Sequence, residues 1–259
     1  MADTRYIRPY AALERHAAEM RQKRNQRRMR LGLAVGGGIT VTALTYWLVP
    51  PLTVLAVGIA ALVIFFSSIT GGSSVEASEM IGVEGEVRAL RFLEQLPDDY
   101  LLFNQVMVPD ERLPNGRREL DFVVLGPSSL HVVEVKNTPG LIYVRPAEAR
   151  WPLAHKAGCG GRPGWNAVDN PLIQARAQTE ALGRWLLRHG LSIDPQPIVC
   201  FARSNVALRD REQSAIPVLT AAELTEQLGR QGLPLPLNQR DGIERLLAGT
   251  GGHSVRRAA

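Results

Sequence analysis

The run Glu119-Leu-Asp121-Phe-Val-Val-Leu125-Gly-Pro-Ser-Ser-Leu130-His-Val-Val-Glu134-Val-Lys136 contains two apolar stretches around a four-residue turn. Residues 119–125 and 130–136 alternate or run apolar, and Gly126-Pro-Ser-Ser129 supplies turn residues, so a β-hairpin is predicted. With a four-residue loop, Leu125 faces Leu130, Val123 faces Val132 and Asp121 faces Glu134. Directly opposed residues stand about 4.5–5.5 Å apart at Cβ, and like charges there destabilise a sheet unless a cation lies between them. A divalent ion such as Mg²⁺ or Mn²⁺ takes carboxylate oxygens and would fill that place. Lys136, two residues beyond Glu134, points to the same face, where an ammonium can hold an attacking water or offset developing negative charge. A solvated strand face would also carry alternating charges. Val123, Val132 and Val135 make this hairpin too apolar for that simpler reading.

Working outward, Val83, Val87, Leu90 and Leu93 follow helical spacing, which predicts a helix over 84–96, stopped by Pro97. Residues 100–108 read as a strand, 141–144 as a short strand, and Trp151 as the start of another. Asn170 followed by Pro171 is a helix start, and Gly190 a stop, so a helix of about 171–189 follows. Residues 198–202 read as a buried strand. Thr220-Ala-Ala-Glu223 is a capping box that opens a helix, and a last helix spans 238–248. This order predicts an α/β domain over 80–248, a mixed central β-sheet flanked by helices, with a flexible tail over 249–259.

The N-terminal third has another character. Residues 31–49 and 52–69 carry no charge, and Pro50-Pro51 separates them. Each reaches the low end of the 17–25 apolar residues that cross a bilayer, so two transmembrane helices, a hairpin over 31–69, are predicted. A single or re-entrant span and a signal peptide are the alternatives, and the apolar region is too long for the latter. Residues 70–79 read as a linker. Residues 1–30 form a basic arm, with nine Lys or Arg against three Asp or Glu, and 5–30 read as a charged helix. The remainder holds 21 basic and 22 acidic residues, so the pI of about 9.6 belongs to the arm. Basic residues beside a first span mark the cytoplasmic side. The expected location is therefore the cell inner membrane, with the α/β domain facing the cytoplasm. Gly36-Gly-Gly38 permits close helix contact and a homo-oligomer. Cys159 and Cys200 form no disulfide framework, and His155 with Cys159 is too small a set for zinc.

Five pieces in order carry a family resemblance: Gly82-Val-Glu-Gly85-Glu86, Glu119-Leu-Asp121, Val133-Glu134-Val-Lys136-Asn137-x-x-Gly140, Trp151, and Asn170-Pro171-x-x-Gln174. Together they resemble the nuclease-related domain (NERD) family, which is similar in turn to the PD-(D/E)XK nuclease superfamily. The resemblance implies a restriction-endonuclease-like fold around a four-stranded sheet, and metal-dependent hydrolysis of phosphodiester bonds, with DNA the expected nucleic acid. It implies Asp121, Glu134 and the Val135 carbonyl as metal ligands, with Lys136 assisting the attack. Glu86 and Gln174 match further motif positions, although a solvent-facing helix glutamate and a capping-turn glutamine would read the same way. Lys136 could also pair with Glu119 alone. The segment 155–166, rich in Gly, Lys and Arg, is longer than the family's usual link, and its part 156–162 reads as a solvated loop, with a phosphate-contacting loop as the alternative. A non-catalytic nucleic-acid-binding or protein-interaction domain is the alternative function. The near-neutral charge of the domain favours it, since duplex binders show a basic face.

Overall fold

The computed structural model describes residues 1–10, 25, 29, 74–155, 164–230 and 232–250. Chain contacts divide it into Met1–Arg8 with Ile81–Ala259, and Pro9–Met80. The apolar stretches 31–69 lie outside the described residues, as do 70–73 and the tail beyond 250. Among the described residues no helix is long and apolar enough to cross a membrane.

The first unit is built on a six-stranded sheet. Its strands are β1 (Asp3–Tyr6), β2 (Leu101–Pro109), β3 (Arg117–Leu125), β4 (Leu130–Lys136), β8 (Gln196–Phe201) and β10 (Val218–Thr220), in that spatial order. β2, β3 and β4 form an antiparallel meander, whereas β1 on β2, β8 on β4 and β10 on β8 are parallel. A second sheet, ordered β7-β6-β5-β9, comprises β5 (Gly140–Tyr143), β6 (Arg150–His155), β7 (Gly164–Asp169) and β9 (Val206–Arg209). The hairpin register is the expected one: Leu125 faces Leu130 and Val123 faces Val132.

Alternation along these strands makes two apolar faces. Val123, Leu125, Leu130 and Val132 pack against Ala181, Leu182, Trp185 and Leu186 of α2 (Pro171–Arg188) and against Ile243 and Leu247 of α4 (Leu237–Gly249). Phe122, Val124, Val133, Ile198 and Cys200 face Ala89 and Leu93 of α1 (Ser74–Leu93), with Leu224 and Leu228 of α3 (Leu224–Leu228). A third cluster joins the second sheet to β8, β10 and the first turns of α2 through Ile142, Trp151, Leu153, Leu172, Val199 and Phe201. α2 begins as expected: the Asn170 side chain accepts the Leu172 N–H at 3.0 Å, with Pro171 in the first turn. The Thr220–Glu223 capping box is present too.

Three expectations are corrected. The central sheet has six strands, not four, because β1 and β10 extend it at both edges. The loop expected over 156–162 lies outside the described residues, and β7, which the sequence did not announce, starts after it at Gly164 and pairs with β6. α1 starts at Ser74, inside the stretch read as a linker, and ends at Leu93. The first residues of the expected arm are strand and not helix. Tyr6 stacks on Phe103 with ring centroids 4.7 Å apart, and Asn104 holds Arg8 through the Arg8 N–H at 2.6 Å and the Arg8 carbonyl at 3.1 Å.

Candidate active site

The six-stranded sheet parts where Asp121 and Glu134 come opposite each other. Phe122 and Val133 are the last paired residues of β3 and β4. The next acceptor for the Val135 N–H is not a backbone carbonyl but the Asp121 carboxylate, whose Oδ2 lies 2.7 Å away. Within a strand a residue's N–H and C=O point to the same neighbour, so the Val135 carbonyl faces the same gap. The break continues into β2. Asn104 pairs with Phe122 and Val106 with Leu120, while Gln105 and Asp121 between them do not pair. Gln105 has φ of +49°, a left-handed conformation that costs an L-residue with a Cβ roughly 1–2 kcal/mol.

Glu134 is buried and engaged at both oxygens. Oε1 lies 2.5 Å from Lys136 Nζ, and Oε2 accepts from Gln178 Nε2 at 2.6 Å. Lys136 Nζ also donates to Gln174 Oε1 at 2.9 Å. Gln174 and Gln178 are one helical turn apart on α2, so one helix face holds both ends of the Glu134–Lys136 pair. Lys136 pairs with Glu134 rather than with Glu119, whose backbone carbonyl instead accepts from Gln178 at 3.2 Å.

Glu86 comes from the opposite layer. Its helix is drawn close by Gly85: a Cβ there would stand 2.7 Å from Asn137 Cβ and 3.1 Å from Asn137 Cγ. Asn137 Nδ2 donates to the Ile81 carbonyl, tying the helix to the end of β4. Glu86 Oε2 is buried without a hydrogen-bond partner. Burial, and then the charges of Glu119 and Glu134, push the Glu86 carboxyl up to about 7. A hydrogen bond with Gln105 acts in the other direction. Burial raises the Asp121 carboxyl well above the ordinary range, and the negative charge of Glu134 adds to it. The carboxylates therefore outweigh the single ammonium of Lys136.

All five expected side chains, Glu86, Asp121, Glu134, Lys136 and Gln174, are thus connected here by contact or charge. Two more partners carried no isolated signal. Gln178 is visible in hindsight as the i+4 neighbour of Gln174. Gln105 is a strand residue whose backbone conformation only the structure reveals. Trp151 belongs to the core, its Nε1 donating to the Arg145 carbonyl at 2.8 Å. Cys200 is buried and free, with its thiol pushed up by burial.

Residues 81–202 match the nuclease-related domain (NERD) family. The matched stretch runs from the first turns of α1 to the end of β8 and contains every residue of the site just described. No curated protein and no solved structure matches the chain.

This match raises the question of a metal. Among the described residues no group of three or more His, Cys, Asp and Glu is arranged to hold an ion. Mg²⁺, however, is usually held by one or two carboxylates and otherwise by water and substrate phosphates. Asp121, Glu134 and the Val135 carbonyl form such a set of hard oxygen donors. The unpartnered Glu86 oxygen and the raised Asp121 and Glu86 carboxyls mark negative charge that a cation would offset.

Proposed function

We propose that this chain is a membrane-anchored, metal-dependent nuclease that hydrolyses phosphodiester bonds, with DNA as its nucleic acid. The observation that carries this reading is Asp121 set against Glu134 at a gap in the sheet, with Lys136 on the same face. Asp121, Glu134 and the Val135 carbonyl would hold Mg²⁺ or Mn²⁺, which supplies Lewis-acid polarisation of a phosphoryl oxygen and a more acidic bound water. Lys136, steadied by Gln174, places an ammonium where a water or the charge growing on phosphorus needs a donor. Gln178 fixes the orientation of Glu134. Glu86, at about 7, is poised to accept or give a proton near neutral pH.

The membrane part rests on the two charge-free stretches of 31–69. The pairing of β1 with β2 supports a start of the chain and an α/β unit on the same side of that membrane. The chain between them then crosses an even number of times, which favours the two-span hairpin over a single span. The basic residues of the first thirty favour the cytoplasm for that side.

The test is cleavage of single- and double-stranded DNA and of RNA by the full-length chain, in Mg²⁺, Mn²⁺ or chelator. Cleavage that chelator abolishes supports the reading. A second reading, a non-catalytic binding domain, is favoured by Glu134 having both oxygens engaged by Lys136 and Gln178. DNA binding without cleavage in either metal would select it.

A further inference from the structure

The second sheet presents one face to the core, while the residues of its other face are half-buried to exposed. Ile142, Val144, Trp151 and Leu153 are the buried set. Alternation places Leu141, Tyr143, Pro152, Ala154, Trp165 and Ala207 on the opposite face. There Trp165 is 69 % exposed, the most exposed aromatic side chain among the described residues. Its ring lies 5.8 Å from that of Tyr143, tilted by 34°. The Arg145 guanidinium lies 5.8 Å from the centre of the Tyr143 ring, and the exposed Arg209 is the cross-strand neighbour of Tyr143 on β9.

We propose that this face is a stacking platform for single-stranded nucleic acid, with Trp165 and Tyr143 taking bases and Arg209 taking a phosphate; the proposal rests on the nuclease reading of the neighbouring site. Three features select this occupant. Around Trp165 the strand positions are small, Ala154, Ala167 and Pro152, and beyond its contact with Tyr143 the indole is exposed. A flat base fits such a surface, while a protein partner finds little to bury. Arg145 and Arg150 on its border are paired with Asp210 and Asp169, while Arg209 has no carboxylate within 4 Å among the described residues and is left to meet a phosphate. The platform is also continuous with the catalytic strand. β5 begins at Gly140, four residues after Lys136, and the row Ala207–Leu141–Ala154–Trp165 crosses the sheet at that end. Trp165 therefore sits two strands, roughly 10 Å, from Leu141. A base paired in a duplex cannot offer its face to an indole, so this platform discriminates for unpaired strands.

The test is equilibrium binding of a short fluorescein-labelled oligothymidylate to the full-length chain in chelator, beside an abasic strand and a duplex of equal length. Binding without metal is read independently of cleavage, so it stands or falls apart from the nuclease reading. Stacking on one aromatic ring is worth about tenfold in affinity. The wild type is expected to prefer oligothymidylate over both the abasic strand and the duplex by about that factor or more. Trp165→Ala is expected to lose about tenfold on oligothymidylate and nothing on the abasic strand, while Trp165→Phe keeps most of the affinity. Equal binding of abasic strand and oligothymidylate by the wild type, tighter binding of the duplex, or an equal loss on both strands in Trp165→Ala would overturn the platform.

Discussion

Glu86 shows how much a single position depends on its surroundings. In the sequence it is one of several glutamates in a helix. In the structure Gly85 and Asn137 bring it to a buried place where one oxygen has no partner. Its folded carboxyl, at about 7, holds a proton that the unfolded chain releases near 4.5. The stability it allows is therefore present below 4.5 and lost as pH rises through 7, by on the order of 3 kcal/mol. Glu86→Gln is expected to remove that loss and to raise metal-free stability near pH 7.5 while leaving stability near pH 4 unchanged, as read by urea unfolding. A variant less stable than wild type near pH 7.5 would contradict this placement of Glu86. Asp121 and Glu134 were legible because opposed like charges on an apolar hairpin are rare without a purpose. Gln178 was not, because an isolated glutamine on a helix has no pattern to betray it.

Among the elements, β4 carries both a chemical and a structural demand. Its C-terminal half holds Glu134 and Lys136, and near its start is His131, whose Nε2 lies 2.8 Å from Ser129 Oγ. Burial pushes the imidazole down to about 4. The unfolded chain takes up its proton near 6.5, so this contribution to stability is present above 6.5 and lost as pH falls through 4, roughly 3 kcal/mol in all. The slope is opposite in sign to that of Glu86 over an overlapping range, and the two partly cancel in the wild type. His131→Gln is expected to expose the Glu86 slope, with stability falling steadily from about pH 5 to about pH 7; an unchanged profile would show that His131 is not buried as a neutral ring. Elements with local signals were readable: the hairpin from its alternation, and α2 from Asn170 and Pro171. β1, β7 and β10 were not. β1 and β10 are short edge strands, and β7 follows a glycine-rich loop, so each is defined by its pairing rather than by its own composition.

For the whole molecule, the placement of β1 matters most. A strand that starts at Asp3 and pairs with one that starts at Leu101 closes the chain over the region holding both apolar stretches. The basic composition of residues 1–30 alone did not reveal this, because Asp3, Arg5 and Arg8 read as part of a charged arm until Tyr6 is seen stacked on Phe103. The account expects a tag at the N-terminus and a tag at the C-terminus to be cleaved by protease from the same side of sealed membrane vesicles. Protection of one tag and cleavage of the other would exclude the two-span arrangement.

The most direct test of the central claim is the single-turnover rate of DNA cleavage in Mg²⁺ or Mn²⁺ by the wild type, Asp121→Asn and Lys136→Ala. Asparagine keeps an oxygen for the Val135 N–H and removes only the charge, so Asp121→Asn should fold with undiminished thermal stability. Its rate is expected to fall at least about a hundredfold, as is that of Lys136→Ala, in keeping with the loss of one electrostatic contact to the reacting phosphate. Folded variants that cleave at the wild-type rate would contradict the assignment of Asp121, Glu134 and Lys136 as a hydrolytic centre.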